Sequence, residues 1–172
     1  PITIDDIDFA EKFAKAHGVP FNREGWDIIL REYAGYMPVS IYSIDEGLVA
    51  PIGVAQAVIY NNDPRLPWLT AYLETELLRA VWYPSTVATI SLAAKRIIRE
   101  GLEKTSDNLE SNLPFRLHDF GQRGVSSRES AGLGGMAHLI NFLGTDTTEG
   151  ILAAMRYYNA DLETAGFSIP AM

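Results

Sequence analysis

Residues 117–129 read L-H-D-F-G-Q-R-G-V-S-S-R-E, and residues 144–147 read G-T-D-T. Each stretch lies where a short apolar run, typical of a buried strand, passes into a segment with helical spacing. A third joint of this kind begins at residue 168 with S-I-P. The order β-α-β-α-β with short joints predicts parallel strands and right-handed crossovers. This half of the chain is therefore predicted to be α/β and part of a (β/α) barrel, in which reactive groups lie at such joints.

The predicted elements of this half follow from the apolar spacing. We expect strands over residues 115–120 and, in part, 141–145, helices over 127–140 and 147–158, and a third strand that opens at 168–170. The first of these helices contains Gly132, Gly134 and Gly135. Glycine is poor for helix propensity, so these positions indicate close approach by another backbone.

The first part of the chain has the pattern of short helices followed by a hairpin. A helix is predicted over residues 5–17 with Gly18 as its end, and Asn22 can cap a second helix. Residues 38–60 alternate with a period of two and are predicted to be β structure.

Helical spacing returns over residues 67–104, where Pro84 predicts a break between two helices. The polar segment that follows is the best internal boundary of the chain. We therefore predict a helical and β-hairpin region over residues 1–112 and a partial (β/α) barrel with a ligand half-site over residues 113–172.

Composition narrows the classes of function. The chain has 172 residues, of which 47% are hydrophobic, enough for a sizeable core. It has no cysteine, so disulfides, thiolate metal sites and a cysteine nucleophile are excluded, and a cytoplasmic protein is the simplest interpretation. The net charge of −8 argues against nucleic acid as the main partner. No apolar run approaches the roughly 18–20 residues of a membrane span, so we expect a soluble protein.

The D-F-G of residues 119–121 is also found in protein kinases, but the glycine-rich loop and the other kinase motifs do not precede it. Strand alternation places His118 and Phe120 on one face. Phe120 can stack on a flat heteroaromatic ring, whereas the general burial of phenylalanine favours ordinary core packing. His17 and His138 have no partner pattern and are interpreted as structural.

Arg123 precedes a predicted helix start, because Ser126-x-x-Glu129 matches a capping box. A guanidinium beside free helix-start N–H groups is a suitable place for a phosphate. The alternative is a surface arginine that pairs with Glu129 or Asp119.

Asp146 has two interpretations. It can be the N-cap of the helix predicted from Thr147 onward. It can also be a carboxylate at a pocket floor, where it accepts a hydrogen bond from a carboxamide and repels a carboxylate ligand. Both roles are compatible.

Taken together, these motifs resemble those of the nicotinamide phosphoribosyltransferase family. The resemblance rests on D-F-G-x-R-G-V-S-S at residues 119–127, on G-T-D-T at 144–147, on F-N-R-E-G-W at 21–26, on W-Y-P-S-T-V-A-T at 82–89 and on G-F-S-I-P-A at 166–171. It covers nearly the whole chain. It implies a type II phosphoribosyltransferase barrel that condenses nicotinamide with phosphoribosyl pyrophosphate, giving nicotinamide mononucleotide and pyrophosphate.

The resemblance also implies roles for single residues. Phe120 stacks on the nicotinamide ring, Asp146 orients its amide, and Arg123 borders the ring and the phosphate. The remaining implied residues are His118 at the pocket mouth and Ser168, Ile169 and Ala171 in the pocket wall. Gln122 departs from the family, whose members often have an aromatic residue there.

The family continues beyond the S-I-P-A-like strand with Glu-His-Ser, and that histidine is catalytic, whereas this chain stops at Met172. We therefore expect no catalytic residue within the chain, Mg²⁺ bound by residues outside it, and an inactive fragment or one part of a split enzyme. A homodimer or a complementary chain is the expected partner. The alternatives are a nicotinate phosphoribosyltransferase, against which Asp146 argues, and a non-catalytic binding or assembly module.

Overall fold

A computed structural model describes residues 1–168. The chain divides into two compact units, Pro1–Thr75 and Glu76–Met172. The first unit begins with α1, Ile4–His17. Thr3 caps it by accepting a hydrogen bond from the backbone N–H of Asp6, whose carboxylate accepts one from Thr3 in return. Gly18 ends the helix in the left-handed region, at φ 84°, as predicted.

The second helix, α2, spans Arg23–Glu32, and the side chain of Asn22 caps it through the backbone N–H of Gly25, as predicted. Its apolar face packs into the core of the first unit. That core consists of Ile7, Trp26, Ile29, Leu66 and Leu69.

A β-hairpin follows, in which β1, Val39–Ser43, pairs antiparallel with β2, Ala57–Asn61. Val39 lies opposite Asn61, and Ser43 opposite Ala57. The predicted β structure is thus confirmed for the two strands, and residues 44–56 form the loop between them.

The next helix, α3, is continuous over Leu69–Thr105, so the predicted break at Pro84 is wrong. Proline fixes φ near the helical value and removes one N–H donor. The nearest residues, 81–83 and 85–90, are mostly β-branched, aromatic or hydroxyl residues of average to poor helix propensity, so local propensity does not explain the continuous helix.

Within the described residues, the second unit continues with five helices or 3₁₀ turns. These are α4 Leu109–Asn112, two 3₁₀ turns at Leu113–Phe115 and Gly121–Arg123, α5 Arg128–His138 and α6 Thr148–Tyr158. Between them lie two parallel bridges, one joining Asp119 to Thr145 and the other joining Gly144 to Phe167.

The mixed α/β class and the parallel order are therefore as predicted, but the strands are much shorter. A strand over residues 115–120 is wrong, because a 3₁₀ turn occupies its start and only Asp119 pairs. The third segment pairs at Phe167, and residues 169–170 lie outside the described residues.

Much of α3 packs with the elements that follow it. Ser91 contacts the ring of His138, and the amide of Asn141 donates to the carbonyl of Ala88 at 3.0 Å. Both contacts lie within the second unit, which includes residues 76–112. The predicted division at residue 112 does not coincide with this grouping, and it stays a prediction about the domains of the protein.

Helices α5 and α6 meet through glycines. A Cβ on Gly135 would lie 2.8 Å from the Cα of Gly150, and a Cβ on Gly134 would lie 2.7 Å from the hydroxyl oxygen of Tyr83. The predicted close approach by another backbone is therefore confirmed at Gly135, whereas the close neighbour of Gly134 is the Tyr83 side chain of α3. Because the two helices touch backbone to backbone where Gly135 meets Gly150, no side chain larger than hydrogen fits at that point.

This packing predicts opposite effects for two glycine substitutions. Gly150→Ala places a Cβ 2.6 Å from the carbonyl carbon of Gly135 and should destabilise the fold by about 1–3 kcal/mol, the usual cost of overpacking. Gly101→Ala, in α3 with nothing within 4 Å of the new Cβ, should stabilise by roughly 0.5–1 kcal/mol. Urea denaturation measures both, and equal midpoints for the two variants would contradict the close contact.

Candidate functional site

Three short parallel segments, paired at Asp119, at Gly144 and Thr145, and at Phe167, end beside one another. The backbone N–H of Asp146 donates to the carbonyl of Asp119 at 2.8 Å, and that of Thr145 donates to the carbonyl of Phe167 at 2.9 Å. Phe120, Asp146 and Ser168 follow directly after the paired residues, so they emerge beside one another. The carboxyl ends of parallel strands are where α/β proteins bind ligands.

The carboxylate of Asp146 is held from two sides. The hydroxyl of Ser168 donates to its Oδ1, and the Nε2 of His118 lies 3.3 Å from its Oδ2. The side chain keeps 36% of its surface exposed, so it is also open to a ligand. The interpretation of Asp146 as a helix cap is wrong. Helix α6 begins at Thr148, one residue after the predicted start, and its N-cap is Thr147.

His118 is nearly covered, with 8% of its side chain exposed. Neither ring nitrogen has a hydrogen-bond partner within the described residues, although Nε2 lies near the carboxylate of Asp146. A Cβ on Gly144 would lie 2.8 Å from Nδ1 of His118, which explains why glycine stands there. His118 is thus a buried neighbour of the carboxylate.

Phe120 is 60% exposed, so the interpretation as ordinary core packing is wrong. Its ring centroid lies 4.5 Å from that of His118, with the ring planes tilted by 39°. The two rings share one face, as strand alternation predicted. The rest of the Phe120 ring is open to a flat ligand.

Arg123 ends the 3₁₀ turn after Phe120 and is exposed. It forms no ion pair with any residue from 1 to 168, so the predicted alternatives of pairing with Glu129 or Asp119 are wrong. Asp119 instead accepts from the backbone N–H of Gly121 at 2.7 Å, which shapes the turn. The guanidinium of Arg123 is therefore available to an anion.

The cap of α5 is shifted from the predicted position. Ser127, not Ser126, accepts from a backbone N–H, that of Ser130, at 3.1 Å. Residues 126 and 127 are both serine, so the sequence pattern alone did not distinguish them.

Sequence reasoning gave Gln122 no role. Its Oε1 accepts from the hydroxyl of Thr148 at 3.1 Å and from the backbone N–H of Glu149 at 3.4 Å. This contact joins the turn after Phe120 to the first turn of α6. The two partners are 26 and 27 residues away in sequence, and no local motif indicates such a contact.

Buried His138 supports the segment that precedes Asp146. Its Nε2 lies 3.0 Å from the carbonyl oxygen of Gly144, so that nitrogen is the donor, and Nδ1 can then accept from the hydroxyl of Ser91 at 3.3 Å. Burial lowers the pKa of His138, although the bond to Gly144 opposes this. The structural interpretation of this histidine is confirmed.

The structure thus brings His118, Phe120, Asp146 and Ser168 together and leaves Arg123 on the adjoining turn. Ile169 and Ala171 lie outside the described residues. Within residues 1–168, no group of three or more histidine, aspartate or glutamate side chains is placed to hold a metal ion.

Known proteins are similar to this chain along most of its length. Residues 115–172 match the nicotinate phosphoribosyltransferase (NAPRTase) family. A relative from Xanthomonas campestris pv. campestris (strain 8004), named nicotinamide phosphoribosyltransferase, is 50% identical over 171 residues, 99% of this chain and 36% of the relative. One of the same name from Acinetobacter baylyi is 36% identical over 137 residues, 80% of this chain and 27% of the relative.

A third relative of that name, from Mycoplasma pneumoniae, is 37% identical over 121 residues, 69% of this chain and 26% of the relative. The chain therefore spans 36% of the length of the first of these relatives and about a quarter of the other two.

The lowered pKa of His138 predicts a pH dependence of stability. Because the folded protein binds this proton less readily than the unfolded chain, the free energy of unfolding should be highest above the ordinary pKa of 6.5 and should fall below it. His138→Gln should weaken this decrease between pH 7.5 and pH 5, measured by urea denaturation. His17→Gln, which removes an exposed histidine of α1, keeps His138 and should keep the decrease. An undiminished decrease in His138→Gln would contradict the assignment.

Proposed function

Because this chain belongs to the nicotinamide phosphoribosyltransferase family, we propose that it carries part of the site that condenses nicotinamide with phosphoribosyl pyrophosphate. The products are nicotinamide mononucleotide and pyrophosphate. The observation that carries the proposal is the partly exposed carboxylate of Asp146 beside the exposed ring of Phe120.

Asp146 selects for an amide. An ionised carboxylate only accepts hydrogen bonds, so it pairs with the NH₂ group of nicotinamide and repels the carboxylate of nicotinate. Ser168 occupies Oδ1 as a donor, which orients the group and leaves lone pairs for a ligand. A nicotinate enzyme is the alternative within the class, and Asp146 argues against it.

Phe120 supplies the surface for the pyridine ring. Stacking of two aromatic rings contributes about 0.5–1.5 kcal/mol beyond the burial of area. His118 backs the Phe120 ring and keeps it near Asp146. Ser168, with Ile169 and Ala171 from the end of the chain, is proposed to complete the wall.

Arg123 faces the phosphoribosyl group in this proposal. Its guanidinium, which has no ion-pair partner among residues 1–168, suits the bidentate recognition of a phosphate. Nicotinamide is a stable neutral nucleophile, so catalysis consists mainly of positioning and of stabilising charge on the ribosyl cation and the departing pyrophosphate. The residues of this chain bind and orient the substrates, and none is proposed as catalytic.

Mg²⁺, a cytoplasmic location and a homodimer or complementary chain belong to the same proposal and rest on the resemblance alone. The described acidic residues include no metal-binding group, so no step is assigned to a metal that they hold. None of the described helices is both long and apolar enough to cross a membrane.

The role of Asp146 is tested in the full-length protein. Asp146→Ser should lower kcat/KM for nicotinamide about ten- to a hundredfold, since loss of a charged hydrogen-bond acceptor costs roughly 1.5–3 kcal/mol. The ratio of kcat/KM for nicotinamide to that for nicotinate should fall with it. Asp107→Ser, at an exposed aspartate before α4, is the control and should leave the ratio unchanged. An unchanged ratio in Asp146→Ser would remove Asp146 from the site.

Phe120 is tested by comparing two phenylalanines. Phe120→Ala should raise the KM for nicotinamide while the melting temperature changes little, because the side chain is exposed. Phe142→Ala, at a side chain only 1% exposed, should cost about 3–5 kcal/mol of stability. Kinetics and circular dichroism melts are measured on both. A large loss of melting temperature with unaltered KM in Phe120→Ala would refute the stacking role.

A further inference from the structure

Gln122 lies in the turn Gly121–Arg123, between Phe120 and Arg123 in sequence. Its side chain contacts the first turn of α6. Its Oε1 accepts from the hydroxyl of Thr148 at 3.1 Å and from the backbone N–H of Glu149 at 3.4 Å. The second bond is long, so the hydroxyl of Thr148 is the stronger partner.

Helix α6 needs this acceptor, because its own N-cap does not provide one. Thr147 makes no side-chain cap bond, and its hydroxyl is buried without a partner in the described part of the chain. The first N–H groups of a helix have no intrahelical acceptor and must be satisfied from outside. Gln122 therefore serves as a cap that comes from a distant turn.

This cap joins the two parts of the proposed site. The turn with Gln122 follows Phe120 directly, and α6 follows Asp146 directly. We propose that Gln122 is a positioning residue that fixes the turn with Phe120 and Arg123 against the carboxylate of Asp146. The inference rests on the proposed function, because it concerns how the same site holds its substrates.

A second link to the same helical turn offers a comparison. Arg128, the first residue of α5, pairs with the carboxylate of Glu149 at 2.7 Å. This ion pair also stabilises the start of α6, but it does not involve the turn that carries Phe120. Loss of this exposed ion pair should leave substrate binding unchanged, whereas loss of the Gln122 contact should weaken it.

The test uses the full-length protein with nicotinamide and phosphoribosyl pyrophosphate as the varied substrates. Gln122→Met keeps the length of the side chain and removes the acceptor. It should raise the KM for nicotinamide about three- to tenfold, as expected for the loss of one or two neutral hydrogen bonds, and change kcat less than about twofold. Gln122→Glu, which keeps an acceptor oxygen, should restore most of the binding.

Two further variants separate positioning from a general effect on stability. Thr148→Val removes the stronger donor from the other side, so it should raise KM as well, and the double variant with Gln122→Met should be no worse than Gln122→Met alone. Arg128→Met should leave KM unchanged and change the melting temperature little, because the Arg128 side chain is 84% exposed.

The outcomes distinguish the inference from the function on which it rests. An active wild-type protein with an unchanged KM in Gln122→Met and Thr148→Val overturns the role of Gln122 alone. An Arg128→Met variant whose KM rises as much as that of Gln122→Met also overturns it, because the effect would then be general to α6. A full-length wild-type protein that does not use nicotinamide overturns the proposed function and this inference together.

Discussion

The candidate site depends on a few backbone hydrogen bonds between three short parallel segments. Asp119 pairs with Thr145, and Gly144 pairs with Phe167. A single pair of bridges is weak, because most sheet stability comes from neighbouring pairs and side-chain packing. Buried His138 stabilises this pairing, because its ring donates a hydrogen bond to the carbonyl of Gly144. The positions of His118, Phe120 and Asp146 therefore depend on this small ladder and on its buried support.

The charged side chains beside the paired segments, Asp146 and Arg123, do not neutralise each other. Asp146 has a hydroxyl and an imidazole as neighbours, and neither is a permanent cation. Arg123, the nearby permanent cation of the turn, remains unpaired within residues 1–168. A pair formed between these two would have offset both charges before any ligand arrived. In the proposed site, this separation leaves the carboxylate of Asp146 for the amide and the guanidinium of Arg123 for the phosphate.

The sequence predicted what depends on local patterns and missed what depends on distant ones. The caps at Asn22 and Gly18 follow from residue type, and the parallel order follows from the alternation of elements. Pro84 was predicted to break α3, but the helix continues through it, although the residues beside it are mostly average or poor helix formers. The pattern predicted that His118 and Phe120 share a face. It did not predict that Gln122 caps α6, because that contact depends on how two turns meet in space.

The glycine contact between α5 and α6 has a mechanical consequence. Contacts between side chains can relax by rotamer changes, whereas Gly135 and Gly150 meet through backbone atoms that have no rotamers to exchange. If the residues before α6 shift and move that helix, α5 should therefore move with it, because the contact between the two helices cannot relax. The two helices should therefore move as one rigid body, so the first turn of α6 should not shift independently of α5.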